Sequence, residues 1–111
     1  MPVLFISRKA AKEEIQEMIK ALEGYIKVAV DISKKVLAGG GALHADCESV
    51  LMEQGSQQEN IWGANWYPKS NEVRCEAMIN VAPRRKNRSM EIQDPAVRKK
   101  VVDIVLNLLS G

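Results

Sequence analysis

Val28, Val30 and Ile32 alternate with Lys27, Ala29 and Asp31, and a hydrophobic period of two predicts a strand over residues 25–32. The same period returns over 73–81, where Val73, Cys75, Ala77, Ile79 and Val81 alternate with Arg74, Glu76, Met78 and Asn80. This is the cleanest strand pattern in the chain, and Pro83 ends it. Two other segments repeat at helical spacing. Ala11, Ile15, Met18, Ile19 and Leu22 make one stripe of a helix over about 8–23, with Ser7 placed to cap it and Gly24 to close it in a left-handed conformation. Val97, Val101, Ile104, Val105 and Leu108 make the stripe of a second helix over 95–109, behind Asp94 as N-cap and Pro95 at the first helical position.

Shorter signals fill the space between. Residues 3–6 are an apolar run that reads as a strand, and 35–38 returns to the sheet before Gly39-Gly40-Gly41 breaks it. Residues 44–54 fit a helix or a strand. Val50 and Met52 alternate with Leu51 and Glu53, and Gly55-Ser56 with the polar 57–60 reads as a hairpin connection into 61–67, which favours strands on both sides. A turn follows over 68–71. Together these elements predict one α+β domain over 1–111, a two-layer sandwich. Its mostly antiparallel sheet has four to six strands, with both helices on one face against Val28, Val30, Ile32, Val73, Cys75, Ile79 and Val81.

Composition narrows the class. A hydrophobic fraction of 46% with 27% charged residues is that of an ordinary globular domain, and no apolar run is long enough to span a bilayer. Residues 1–6 are too short for a signal peptide. A cytoplasmic location follows as the expectation, with Cys47 and Cys75 as reduced thiols and no glycan on the Asn87-Arg88-Ser89 sequon. The net charge of +2 conceals a division along the chain. Residues 38–68 carry Asp46, Glu48, Glu53 and Glu59 without a single Lys or Arg, whereas 83–100 carry seven cations against Glu91 and Asp94.

Candidate chemistry lies in three places. Arg84, Arg85, Lys86 and Arg88 crowd a connection between predicted strand and helix, where their mutual repulsion calls for an anion or an acidic surface to offset it. Arg84, Arg85, Asn87, Arg88, Ser89 and Arg98, near a helix N-terminus, are the candidate anion-binding set, and nucleic-acid phosphate is one such anion. A solvated loop paired with Glu91, Asp94 or the acidic stretch is the alternative. His44, Asp46 and Glu48, if extended, point to one side and form a candidate acid–base or ligand set. A structural histidine bonded to Asp46 or to the glycine turn is the plainer account. Trp62 and Trp66 share a strand face with Ala64 between them, suited to stacking a nucleobase or to filling a core or dimer contact. No motif specific for a metal or cofactor is present, so none is expected.

These segments are similar to a family of small bacterial and archaeal proteins of unknown function, of about this length. The carriers are Gly40, Gly41, Leu43, His44, Ala45 and Asp46, then Gly55, Ser56, Gln58, Trp62, Gly63, Asn65, Tyr67 and Pro68. The most specific block runs from Asn87, Arg88, Ser89, Met90, Glu91 and Ile92 to Asp94, Pro95 and Arg98, with Ile79, Asn80 and Pro83 ahead of it. The family pattern has glycine before the Asn-Arg-Ser triplet where this chain has Lys86. The resemblance implies a compact domain and no reaction type. Three readings stand: a domain whose basic loop binds an anion, a small hydrolase or phosphodiesterase using His44 with Arg84, Arg85 and Arg88, and a homodimer or complex subunit whose acidic stretch docks on a neighbour's basic loop.

Overall fold

The computed structural model describes residues 3–110; Met1, Pro2 and Gly111, the ends of the 1–111 span, lie outside the described residues. Five strands form one open sheet: β1 (Leu4–Ile6), β2 (Ile26–Asp31), β3 (Val36–Gly39), β4 (Ile61–Tyr67) and β5 (Glu72–Arg74). Their order is β1-β3-β2-β4-β5, with every neighbouring pair antiparallel. Three helices, α1 (Lys12–Met18), α2 (His44–Glu53) and α3 (Pro95–Leu109), complete the α+β fold. Among the described residues no helix is long and apolar enough to cross a membrane.

Strand register decides what each face buries. Ile26 lies opposite Trp66, Val28 opposite Ala64 and Val30 opposite Trp62, and these side chains share one core with Leu37, Met18 of α1, and Val101 and Val105 of α3. Both terminal helices therefore cover the same face, as their apolar stripes require. Each large side chain fully buried there stabilises the fold by roughly 1.5–3 kcal/mol. Asp94 caps α3 as expected, its Oδ1 accepting from Ala96 N–H at 2.8 Å.

Three segments depart from the pattern. Residues 44–54 are helical rather than extended: Cys47 and Leu51, one turn apart, are the buried positions of α2, and a two-pair alternation is too short to outweigh that spacing. α2 packs on the second sheet face against Ala29, Ala38 and Ile61, adding a helical element there. The first helix starts at Lys12, not near residue 8, and Ser7 does not cap it. Ala10 N–H instead donates to the Leu108 carbonyl at 2.8 Å, which holds that stretch to the end of α3, and Ala11 N–H donates to Glu14 Oε1 at 2.8 Å.

The third departure shapes the site. Of 73–81, only the part within Glu72–Arg74 pairs with β4. Beyond it the backbone turns to 90–92, with Ala77 N–H donating to Met90 O at 3.0 Å and Ile92 N–H to Cys75 O at 3.1 Å, and Met78–Asn80 closes into a 3₁₀ turn. Its alternation therefore records several environments. Val73 and Cys75 border the first core, Ile79 packs on the second, and Val81 is 43% exposed. Gly63 in mid-β4 permits this crossing, because a Cβ there would stand 2.5 Å from that of Ala77.

Candidate functional site

Residues 82–87 form a tight turn that carries the basic cluster. Ala82 N–H donates to Asn87 O at 2.8 Å and Asn87 N–H donates back at 3.3 Å, enclosing a 3₁₀ turn over Pro83–Arg85. Lys86 completes it in the left-handed region, φ 59° and ψ 29°. That conformation costs a residue with a Cβ roughly 1–2 kcal/mol, so neighbouring structure must impose it.

Two buried asparagines do so. The Asn87 side chain is 3% exposed; its Nδ2 lies 2.8, 2.8 and 2.9 Å from the carbonyls of Asn80, Ser89 and Glu91, while its Oδ1 accepts from Gln93 N–H at 2.8 Å. Asn80, fully buried, accepts from Gly63 N–H at 2.7 Å and donates to the carbonyls of Gly63 at 3.0 Å and Met90 at 2.9 Å. Gly63 thereby receives from a side-chain amide the pairing that a neighbouring strand would have offered. Pattern reading gave Asn80 no role, since an asparagine on the polar side of an apparent strand looks solvent-facing.

Arg85 continues the same edge. Its Nη1 donates to Ile61 O at 2.8 Å and Glu59 O at 3.2 Å, its Nη2 to Ile79 O at 3.3 Å, and the guanidinium lies 3.8 Å from the centre of the Trp62 ring. Burial lowers the Arg85 pKa, with Glu48 acting in the opposite sense, yet so strong a base stays charged. Trp62 and Trp66 are each 5% exposed and belong to the core, so neither ring offers a face to a nucleobase. Trp66 Nε1 donates to Asn71 Oδ1 at 2.9 Å.

The remaining members of the set are divided. Arg84 is exposed at the rim of an open cleft of about 390 Å³, whose other charged groups are Glu48, Glu59 and Arg85. Ser89 Oγ accepts from Glu91 N–H at 3.1 Å, and Arg88 is exposed, with its backbone N–H bonded to Gln93 Oε1 at 2.9 Å. Arg98 donates to Ile92 O at 3.0 Å and lines a second cleft with Arg74, Cys75, Glu76 and Glu91. Among the described residues the ion pairs are Lys20–Glu17, Arg74–Glu72 and Lys99–Asp103. Among the described residues Arg84, Lys86 and Arg88 thus have no carboxylate partner.

His44, Asp46 and Glu48 do not share a side. A helix rotates successive residues by about 100°, so Asp46, exposed in the first turn of α2, points away from His44, and Glu48 reaches the first cleft. His44 lines neither cleft. Its Nε2 lies 2.9 Å from both Ala64 O and Asn65 Oδ1. Asn65 uses its Nδ2 on Glu76 O at 3.2 Å, so both atoms facing the ring are acceptors and Nε2 must carry the proton. The histidine pins the start of α2 to β4 rather than bonding Asp46 or the glycine turn. Among the described residues no group of three His, Cys, Asp or Glu could hold a metal ion.

Burial lowers the His44 pKa from its ordinary 6.5, outweighing the opposing effect of its bond to Ala64. The unfolded chain therefore binds the proton first on acidification. Stability due to neutral His44 is complete above about pH 6.5 and is lost as pH falls through the folded-state value. A His44→Gln variant is expected to flatten this part of the profile, measured as the urea midpoint against pH; equal slopes for both proteins in that window would contradict the assignment. Cys47 and Cys75 are free thiols, both pushed up to about 11 by burial and so protonated at neutral pH.

A family model described as a protein of unknown function matches residues 4–108, from β1 into the last turn of α3. The chain belongs to the DUF5674 family. No curated protein and no solved structure matches it. Within this DUF5674 domain the matched span takes in the basic turn, both asparagines and both clefts.

Proposed function

We propose that this DUF5674 domain is a binding module whose basic turn contacts nucleic-acid phosphates. The observation that carries the reading is the pairing of a fixed backbone with unpaired cations. Asn80, Asn87 and Arg85 hold the turn by ten hydrogen-bond contacts to main-chain groups, while Arg84, Lys86 and Arg88 carry charge that no carboxylate among the described residues pairs with. A preorganised cationic turn loses little entropy on meeting an anion and gains by releasing condensed counterions. The left-handed lysine fits this reading, since glycine would relieve the strain but remove a charge.

The phosphodiesterase reading draws less support, because His44 and Arg88 line neither cleft and the His44 Nε2 proton is held by β4. The test is the affinity for a fluorescent single-stranded oligonucleotide across a salt series. Binding should weaken steeply with salt, and Lys86→Ala combined with Arg88→Ala should lower the log–log slope by about 1.4. No salt-dependent binding by the unaltered protein would end the proposal.

A further inference from the structure

The five exposed large hydrophobic residues among those described lie at α2 or on the 78–90 segment, two of the segments that contribute to the first cleft, and Val81 lines the cleft itself. Leu43 and Met52 sit at the ends of α2, 57% and 46% exposed; Met78, Val81 and Met90 lie on the 78–90 segment, 70%, 43% and 39% exposed. The two elements are opposite in charge. α2 carries Asp46, Glu48 and Glu53, and the 78–90 segment carries Arg84, Arg85, Lys86 and Arg88. Where they meet, Glu48 and Glu59 line the same cleft as Arg84 and Arg85, together with Ile79 and Val81, and among the described residues no ion pair joins the two signs.

A surface that shows apolar side chains flanked by charges of both signs is complementary to a partner offering both signs in return. We infer that this partner is a second copy of the chain, docked about a two-fold axis so that Arg84 of each copy meets Glu48 and Glu59 of the other across a shared Met78–Val81 contact. A two-fold interface is isologous, so a bipolar patch is complementary to itself and supplies both counter-charges in one contact. Burying Met78 and Val81 provides the non-directional part of the attraction, and methionine adapts its shape to a facing surface. The sequence division into an acidic middle and a basic end acquires a reason in this arrangement. The inference goes beyond the nucleic-acid reading: Lys86 and Arg88 remain for phosphate whether or not Arg84 is covered.

Charge reversal with mixing tests it, with no nucleic acid present. Among the described residues the side chains of Arg84, Glu48 and Glu59 make no hydrogen bond, and only the backbone carbonyl of Glu59 accepts from Arg85, so their replacement leaves the described bonding intact. The unaltered chain should sediment at twice the monomer mass at millimolar concentration. Arg84→Glu alone, and Glu48→Arg with Glu59→Arg, should each be monomeric while keeping the native circular dichroism spectrum. Mixed in equal amounts, the two variants should regain the dimer mass, because every cross-contact is then between opposite signs. A monomeric unaltered chain, dimers in either variant alone, or a folded mixture that stays monomeric would each overturn the inference.

Discussion

Replacing Asn87 with alanine should lower the unfolding free energy by roughly 3–5 kcal/mol, whereas Arg88→Ala, one residue on, should change it by less than about 0.5 kcal/mol. The contrast follows from where each side chain ends. Asn87 is buried and its amide serves three carbonyls and one N–H; each group left without a partner costs about 1–3 kcal/mol when water cannot reach it. Arg88 is exposed, and among the described residues its side chain makes no hydrogen bond. Asn87→Asp should fare no better than alanine, since it would set a carboxylate oxygen against three carbonyl oxygens. Urea unfolding of the three variants measures this. A cost below 1 kcal/mol for Asn87→Ala would return that residue to the list of groups free to bind a ligand.

Arg85→Ala should cost roughly 2–4 kcal/mol, and Arg85→Lys should recover less than half of it. One guanidinium reaches the carbonyls of Glu59, Ile61 and Ile79 while its central carbon lies over the Trp62 ring. A lysine ammonium can serve one or two of those oxygens but cannot also stack, since its charge is a point at the end of a flexible stem. Removing the guanidinium also opens one side of the Trp62 ring to water, so the tryptophan emission of the alanine variant should shift to longer wavelength. Full recovery by lysine, in urea midpoint and in emission, would mean that charge alone matters there.

The sheet was legible wherever a hydrophobic period met a single environment. β2 keeps one core on one side along its length, so Val28 and Val30 announce it; α3 has a cap, a proline and an unbroken stripe. Residues 73–81 have the same period and a different fate, because the backbone leaves β4 after Arg74 and exchanges one neighbour for another. Periodicity reports how side chains alternate, not which strand receives the hydrogen bonds. α2 was hidden for the opposite reason: only Cys47 and Leu51 are buried on a short helix whose exposed face includes Met52, which leaves a weak stripe.

The candidate site was legible as a place and not as a set of roles. Charge crowding pointed to 83–89, and Arg84, Lys86 and Arg88 are exposed there, in no ion pair among the described residues. Composition could not separate Arg85 from Arg84, adjacent in sequence and alike in chemistry, because the difference lies in reach to Trp62 and three distant carbonyls. The same holds for Asn80 and Asn87, whose importance comes from burial that a polar residue type argues against.

β5 accompanies β4 only from Asn65 to Tyr67. Upstream, the outward main-chain groups of Gly63 and the carbonyl of Ile61 are occupied by the Asn80 amide and the Arg85 guanidinium. Those two side chains act as a removable sheath over a stretch that reads Ile-Trp-Gly-Ala. Any excursion that peels the basic turn from the sheet would bare this apolar strand to intermolecular zipping. Closure of the turn is thus also what keeps this strand edge covered.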